Sequence, residues 1–217
     1  VIVCLSSMAL EPLVRAGRVG LSAAPFAGVG LGIAFSSALV SALAASGFGW
    51  KAMWIANALV ATGVSLLALA LLPSPTAPAA AAPTRKPDRG GVSIPLAALV
   101  LSYGLFGFGY VITATFLVAI VRETASLAPV EPYVWAIVGL AGALSIPFWA
   151  WVARRTTDVF AYSVACLVEA TGVALSVISP GQATIVLAGI FLGGTFMAIT
   201  AIGLGANRPQ DAVAAHA

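Results

Sequence analysis

Residues Ser102–Arg122 read SYGLFGFGYVITATFLVAIVR. The run is apolar and long enough to cross a bilayer as a helix, which takes about 20 residues. It nevertheless carries three glycines, two tyrosines and two threonines. Tyr103, Gly107, Tyr110 and Ala114 fall at i, i+4, i+7 and i+11, so one helical face offers two phenol rings beside small residues. A helix surrounded by lipid alone needs neither the glycines nor the hydroxyls. The stretch predicts a transmembrane helix that lines a cavity.

The rest of the chain fits that reading. Of its 217 residues, 61% are hydrophobic and 8% charged, where soluble domains carry roughly a quarter charged residues. Such a chain cannot cover a water-facing surface, and the lipid bilayer is its expected partner. Long uncharged runs without period-2 alternation argue for an all-α polytopic bundle and against a β-barrel. The formal net charge of +3 comes from scattered basic residues, which suit loop orientation better than a nucleic-acid surface. Cys4 and Cys166 lie within apolar runs and His216 stands alone, so no metal set or other cofactor is expected.

In chain order, Val1–Leu13 reads as the tail of a span without the basic start or cleavage site of a signal peptide. Full spans follow at Leu21–Ala45 and Trp54–Leu72, with Phe48, Trp50 and Trp54 around Lys51 as an interfacial belt. Residues 73–95, containing PSPTAPAAAAPTRKPDRGG, form a Pro/Ala-rich basic linker and the one clear boundary. Residues 96–205 hold four more spans, near Ile94–Val121, Tyr133–Val152, Val159–Ile178 and Ala183–Leu204, and 206–217 form a polar tail. If the linker is cytoplasmic and the chain alternates, eight of the ten Lys and Arg residues fall inside. Only Lys51 and Arg122 fall outside, in keeping with the positive-inside rule.

Four groups of residues are candidates for function. Glu169 lies about 16 Å into its span, near the midplane, where a charge costs on the order of 2.5–3.5 kcal/mol. It reads either as a proton-coupling carboxylate or as a neutral carboxyl hydrogen-bonded to a neighbouring helix. Tyr103, Phe106, Tyr110, Thr113 and Thr115, with Thr195 and Thr200, read as a substrate lining for a small, partly apolar organic molecule or as packed core. Gly28, Gly30 and Gly32, with Gly107, Gly193 and Gly194, are packing or bending positions. Arg154, Arg155 and Asp158 form a charged loop, read as a gating cluster or as a topology signal alone. No nucleophile elbow, P-loop, zinc-protease or Cys/His motif is present, which leaves no enzymatic signature.

Taken together, FAGVGLGIAFSSALV at Phe26–Val40, YGLFGFGYVITATFLVAIVRE at Tyr103–Glu123 and GGTFMAITAIGL at Gly193–Leu204 resemble the major facilitator superfamily, and within it the YbfB/YjiJ-type bacterial family. The resemblance implies a multi-pass protein of the bacterial inner membrane that moves a small organic solute by alternating access, with proton coupling. It also implies that the chain is a fragment running from the end of helix 4 to helix 10 of a twelve-helix fold, with the missing helices as possible partners. Helices 7 and 10 of that fold line the central cavity, which favours Tyr103, Tyr110 and Thr195. Helix 9 is mostly a supporting helix, which sets Glu169 second. The glycines of Gly28–Gly32 match the helix-5 glycine motif without its proline. ARRTTD matches a degenerate acidic-basic loop motif that has lost its glycine. The competing reading is a non-transporting remnant or scaffold that packs with a partner membrane protein.

Overall fold

A computed structural model of the chain describes residues 24–71, 94–179 and 181–205. These form α1 (Ala24–Ala45), α2 (Trp50–Leu71), α3 (Ile94–Glu123), a 3-10 segment (Ala125–Tyr133), α4 (Val134–Arg155), α5 (Asp158–Ile178) and α6 (Gln182–Gly205). Among the described residues six helices are long and apolar enough to cross a membrane and there are no strands. An all-α bundle follows, because a backbone surrounded by lipid must satisfy its hydrogen bonds within each helix. The half-span at Val1–Leu13, nearly all of the linker at 73–95 and the tail at 206–217 lie outside the described residues. Helix α3 takes up the linker's last two positions, starting at Ile94.

The described residues fall into two compact units, one of residues 24–38 and 103–205, the other of Leu39–Ser102. In the second unit, α1 ends in a glycine cap. Gly47 has φ +79°, its N–H donates to Ala44 O at 3.0 Å, and that of Phe48 donates to Leu43 O at 3.0 Å. This pairing satisfies carbonyls that the helix end leaves open, and the left-handed φ is why glycine stands there. Helix α2 starts at Trp50, four residues ahead of the sequence expectation, so Trp50 and Lys51 stand in its first turn, Trp54 in its second and Phe48 just ahead of it. Lys51 Nζ sits 5.6 Å from the Trp50 ring centre. Helix α2 buries no residue, and its leucines and tryptophans present an apolar exterior suited to lipid.

In the first unit, α6 is the central helix, with α4 and α5 packed along it. Its residues Leu192, Phe196 and Met197 join Leu117 and Val121 of α3 and Val134, Val138 and Ile146 of α4 in one core. Helix α3 contributes a stripe of Tyr103, Phe106, Tyr110, Thr113, Leu117 and Val121, spaced three or four residues apart, while Leu105, Phe108, Val111 and Phe116 are exposed on the other side. That is the 3.6-residue period of one helical face. The gap after α3 is a 3-10 segment containing Pro129 and Pro132, whose missing N–H groups suit a short, tightly wound connector. Leu127 from this segment is fully buried in the core.

Candidate functional site

Glu169 lies in the middle of α5 on its buried face, with Ala161, Ala165, Gly172 and Ser176. That face meets α6 closely: a Cβ on Gly172 would stand 2.8 Å from Phe191 Cβ. The approach brings Thr195 of α6 to Glu169, with Thr195 Oγ1 3.3 Å from Glu169 Oε2. Both side chains are buried, at 1% and 6% exposure, and Glu169 is the one carboxyl among the buried described residues.

Thr195 Oγ1 is also 2.6 Å from Phe191 O. A hydroxyl has one proton to donate. When it is given to the Phe191 carbonyl, the contact with Glu169 is a hydrogen bond only if the carboxyl supplies the proton. When Glu169 is ionised, the hydroxyl must turn to it. The pair therefore has two arrangements that differ by one proton. No Lys, Arg or His lies in α5 or α6.

The aromatic candidates of α3 form a continuous row. Tyr103 and Phe106 ring centres are 5.7 Å apart, Phe106 and Tyr110 6.2 Å, and Tyr110 stacks on Phe196 of α6 at 5.2 Å. Tyr103 also covers Gly203 of α6, whose built Cβ would stand 3.3 Å from the ring edge. Tyr110 is near enough to Glu169 to interact with its charge, and the Cys166 thiol bonds with Tyr162 one turn along α5. Thr113 and Thr200 are buried, but their hydroxyls donate to Gly109 O and Phe196 O of their own helices at 2.9 Å. Thr115 is on the exposed face of α3, with its hydroxyl on Val111 O at 2.7 Å. It cannot share a lining with Thr113, because two helical residues put the side chains about 200° apart.

The glycines divide sharply. Gly30 meets the backbone of α4, where a Cβ would stand 2.7 Å from Gly139 O and 2.8 Å from Gly142 C. Gly193 meets α4 from the other side, against the Val138 backbone, and Gly142 lies between, 3.3 Å from Gly193 O as measured from a built Cβ. Gly28, Gly32, Gly107 and Gly194 have nothing within 4 Å of a built Cβ. The close contact of α1 thus runs through Gly30 and Ala34, and the Gly28/Gly32 pair faces away from it.

The loop between α4 and α5 opens with Arg154 and Arg155 in the last turn of α4, a favourable place for cations. Arg155 lies over the Trp151 ring at 5.2 Å. Thr157 caps α5 by accepting from Phe160 N at 3.2 Å, with Asp158 in the first turn. Among the described residues the ion pair is elsewhere, between Arg122 and Glu131 at 2.6 Å.

Three features escaped the sequence reading. Trp149 of α4 donates from Nε1 to Gly194 O at 2.6 Å, tying α4 to α6 one residue before Thr195. Gly139 and Gly142 supply the α4 surface that Gly30 and Gly193 approach; their G-x-x-G spacing was the available signal. Gln182 at the start of α6 donates to Ser126 O at 2.9 Å, holding the 3-10 segment beside that helix end.

A bundle of membrane-length apolar helices that joins a buried carboxyl and hydroxyl across two of them defines the class as a multi-pass membrane protein. The family model described as uncharacterised MFS-type transporter YbfB matches residues 1–216, and the chain belongs to this family of the major facilitator superfamily. Neither the curated proteins nor the solved structures searched gave a match. The family is one of membrane transporters, which places the chain in a lipid bilayer.

Proposed function

We propose that the chain is a segment of a proton-coupled secondary transporter that moves a small organic solute by alternating access. The observation that carries this is the buried Glu169–Thr195 contact, an interhelical pair whose two hydrogen-bonding arrangements differ by one proton. Tyr103, Phe106 and Tyr110 form the solute-facing wall, with Thr195 at its inner end. Thr113 and Thr200 bond to their own helices and shape the wall from behind. Gly30 and Gly193 are tight contacts on either side of α4, and Gly28, Gly32, Gly107 and Gly194 are uncrowded positions where neighbouring helices can slide. Arg154, Arg155 and Asp158 mark the cytoplasmic end of α4 and α5 and form a gate there in another state. The bias of basic residues supports a linker on the cytoplasmic side, and the family resemblance is what points to the bacterial inner membrane.

The test is a flux measurement on the full-length protein in proteoliposomes. Three probes cover the charge classes of a small aromatic solute: benzyltrimethylammonium, N-benzylacetamide and phenylmethanesulfonate. At least one should move against its own gradient when a pH gradient is imposed. Glu169→Gln should abolish that accumulation. Equal accumulation by wild type and Glu169→Gln would overturn the assignment of the proton to this residue.

A further inference from the structure

We propose that the transported solute is an organic cation with an apolar body, and that it and the proton occupy Glu169 in turn. This rests on the transporter reading above and adds to it the chemistry of the solute.

The first ground is what surrounds the carboxyl. Thr195 of α6 touches it, Tyr110 of α3 lies within electrostatic reach of it, and Tyr162 and Cys166 precede it on α5. The fixed cations of the packed helices are at their ends: Arg122 on α3 and Arg154 and Arg155 on α4. Arg122 is twelve positions from Tyr110, roughly 18 Å along the helix, and is paired with Glu131. Among the described residues an ionised Glu169 therefore has no Lys, Arg or His beside it, and a buried carboxylate without a counter-charge is strongly disfavoured. Two states avoid that condition. In one the carboxyl holds a proton; in the other it holds a mobile cation.

The second ground is independent of the first. The rings of Tyr103, Phe106, Tyr110 and Phe196 succeed one another at 5.7, 6.2 and 5.2 Å. Tyr103, Phe106 and Tyr110 are half-buried, and Phe196 is fully so. The row thus runs from the partly open side of α3 to the residue next to Thr195. Ring faces attract cations, most of all quaternary or alkylated ammonium groups. They repel anions, as does the carboxylate at the inner end. A neutral solute would leave Glu169 unpaired whenever the proton departed. Charge balance then requires exchange: the cation enters, the carboxyl O–H bond breaks, and about one proton leaves.

The experiment uses the full-length protein in lipid nanodiscs with the same three probes. Benzyltrimethylammonium should bind with an affinity that rises about tenfold per pH unit while Glu169 is protonated, since one proton is displaced. A dye in weak buffer should register that proton. Glu169→Gln should weaken binding at least tenfold and abolish the release, whereas Glu169→Asp should keep the release. Tyr110→Leu should weaken binding by about three- to thirtyfold, the range of one cation–π contact, and leave the proton count unchanged. Tighter binding of N-benzylacetamide, or cation binding that is the same in Glu169→Gln, would overturn the proposal. If N-benzylacetamide accumulates under a pH gradient, the cation class fails and proton-coupled transport stands. If no probe accumulates and none displaces a proton, both fail.

Discussion

Gly193 and Gly194 are neighbours in α6 and should respond to the same substitution with opposite signs. A methyl group on Gly193 would stand 2.8 Å from both Val138 C and Val138 Cα, and closer still to Val138 O. The obstacle is backbone, so no side-chain rotation relieves it; α4 and α6 must move apart by about 1 Å to restore ordinary contact. That separation loosens the packing of Val138 and Leu192, both nearly fully buried, and stretches the 2.6 Å hydrogen bond from Trp149 to Gly194 O. Overpacking costs about 1–3 kcal/mol, and a backbone clash belongs at the upper end. At Gly194 a methyl meets nothing within 4 Å, so Gly194→Ala should stabilise the helix by up to about 1 kcal/mol. Both substitutions gain the same helix propensity, so the gap between the two variants is the clash itself, about 3 kcal/mol. Equilibrium unfolding in mixed micelles of sodium dodecyl sulfate and a mild detergent, followed by circular dichroism, measures it. Equal stability of the two variants, or a neutral Gly193→Ala, would refute the α4–α6 contact.

Other expectations follow from the same packing. Gly30→Ala should destabilise and Gly28→Ala and Gly32→Ala should not, because only Gly30 abuts α4; the same unfolding assay separates them. Leu127→Ala should cost about 2–5 kcal/mol as a large-to-small change at a fully buried position, whereas Leu105→Ala, on the exposed face of α3, should cost far less. Trp149→Phe keeps most of the ring and removes the donor to Gly194 O, for a loss of about 0.5–1.5 kcal/mol. Glu131→Gln should change stability by less than about 1 kcal/mol, because its pairing with Arg122 is solvent-accessible.

The spans themselves were legible, since length and apolarity set them and lipid leaves the backbone little choice. The end of α1 at Ala45 and of α5 at Ile178 matched the sequence expectation. Which face of each helix packs was harder to read. In water an apolar stripe marks the buried side, but a membrane helix is apolar all round. Gly28/Gly32 and Gly30/Ala34 therefore offered two plausible contact faces about 200° apart, and nothing in the sequence chose between them. The stripe on α3 was visible from Tyr103, Gly107, Tyr110 and Ala114 because polar and small residues broke its uniformity. Glu169 was conspicuous for the same reason. Its partner was not, because Thr195 is 26 positions away and only the packing of α5 on α6 brings the two together. The resemblance to a supporting helix had ranked Glu169 behind Thr195, yet the fold puts them in one contact.

The most direct test is to watch the Glu169 carboxyl itself. Infrared difference spectroscopy of the full-length protein in lipid, with and without saturating benzyltrimethylammonium, isolates the stretch of a protonated carboxylic acid. A band absent from Glu169→Gln identifies it as belonging to this residue. The account expects that band without the cation and its replacement by a carboxylate signal when the cation binds. A Glu169 band that is the same in both conditions would contradict it.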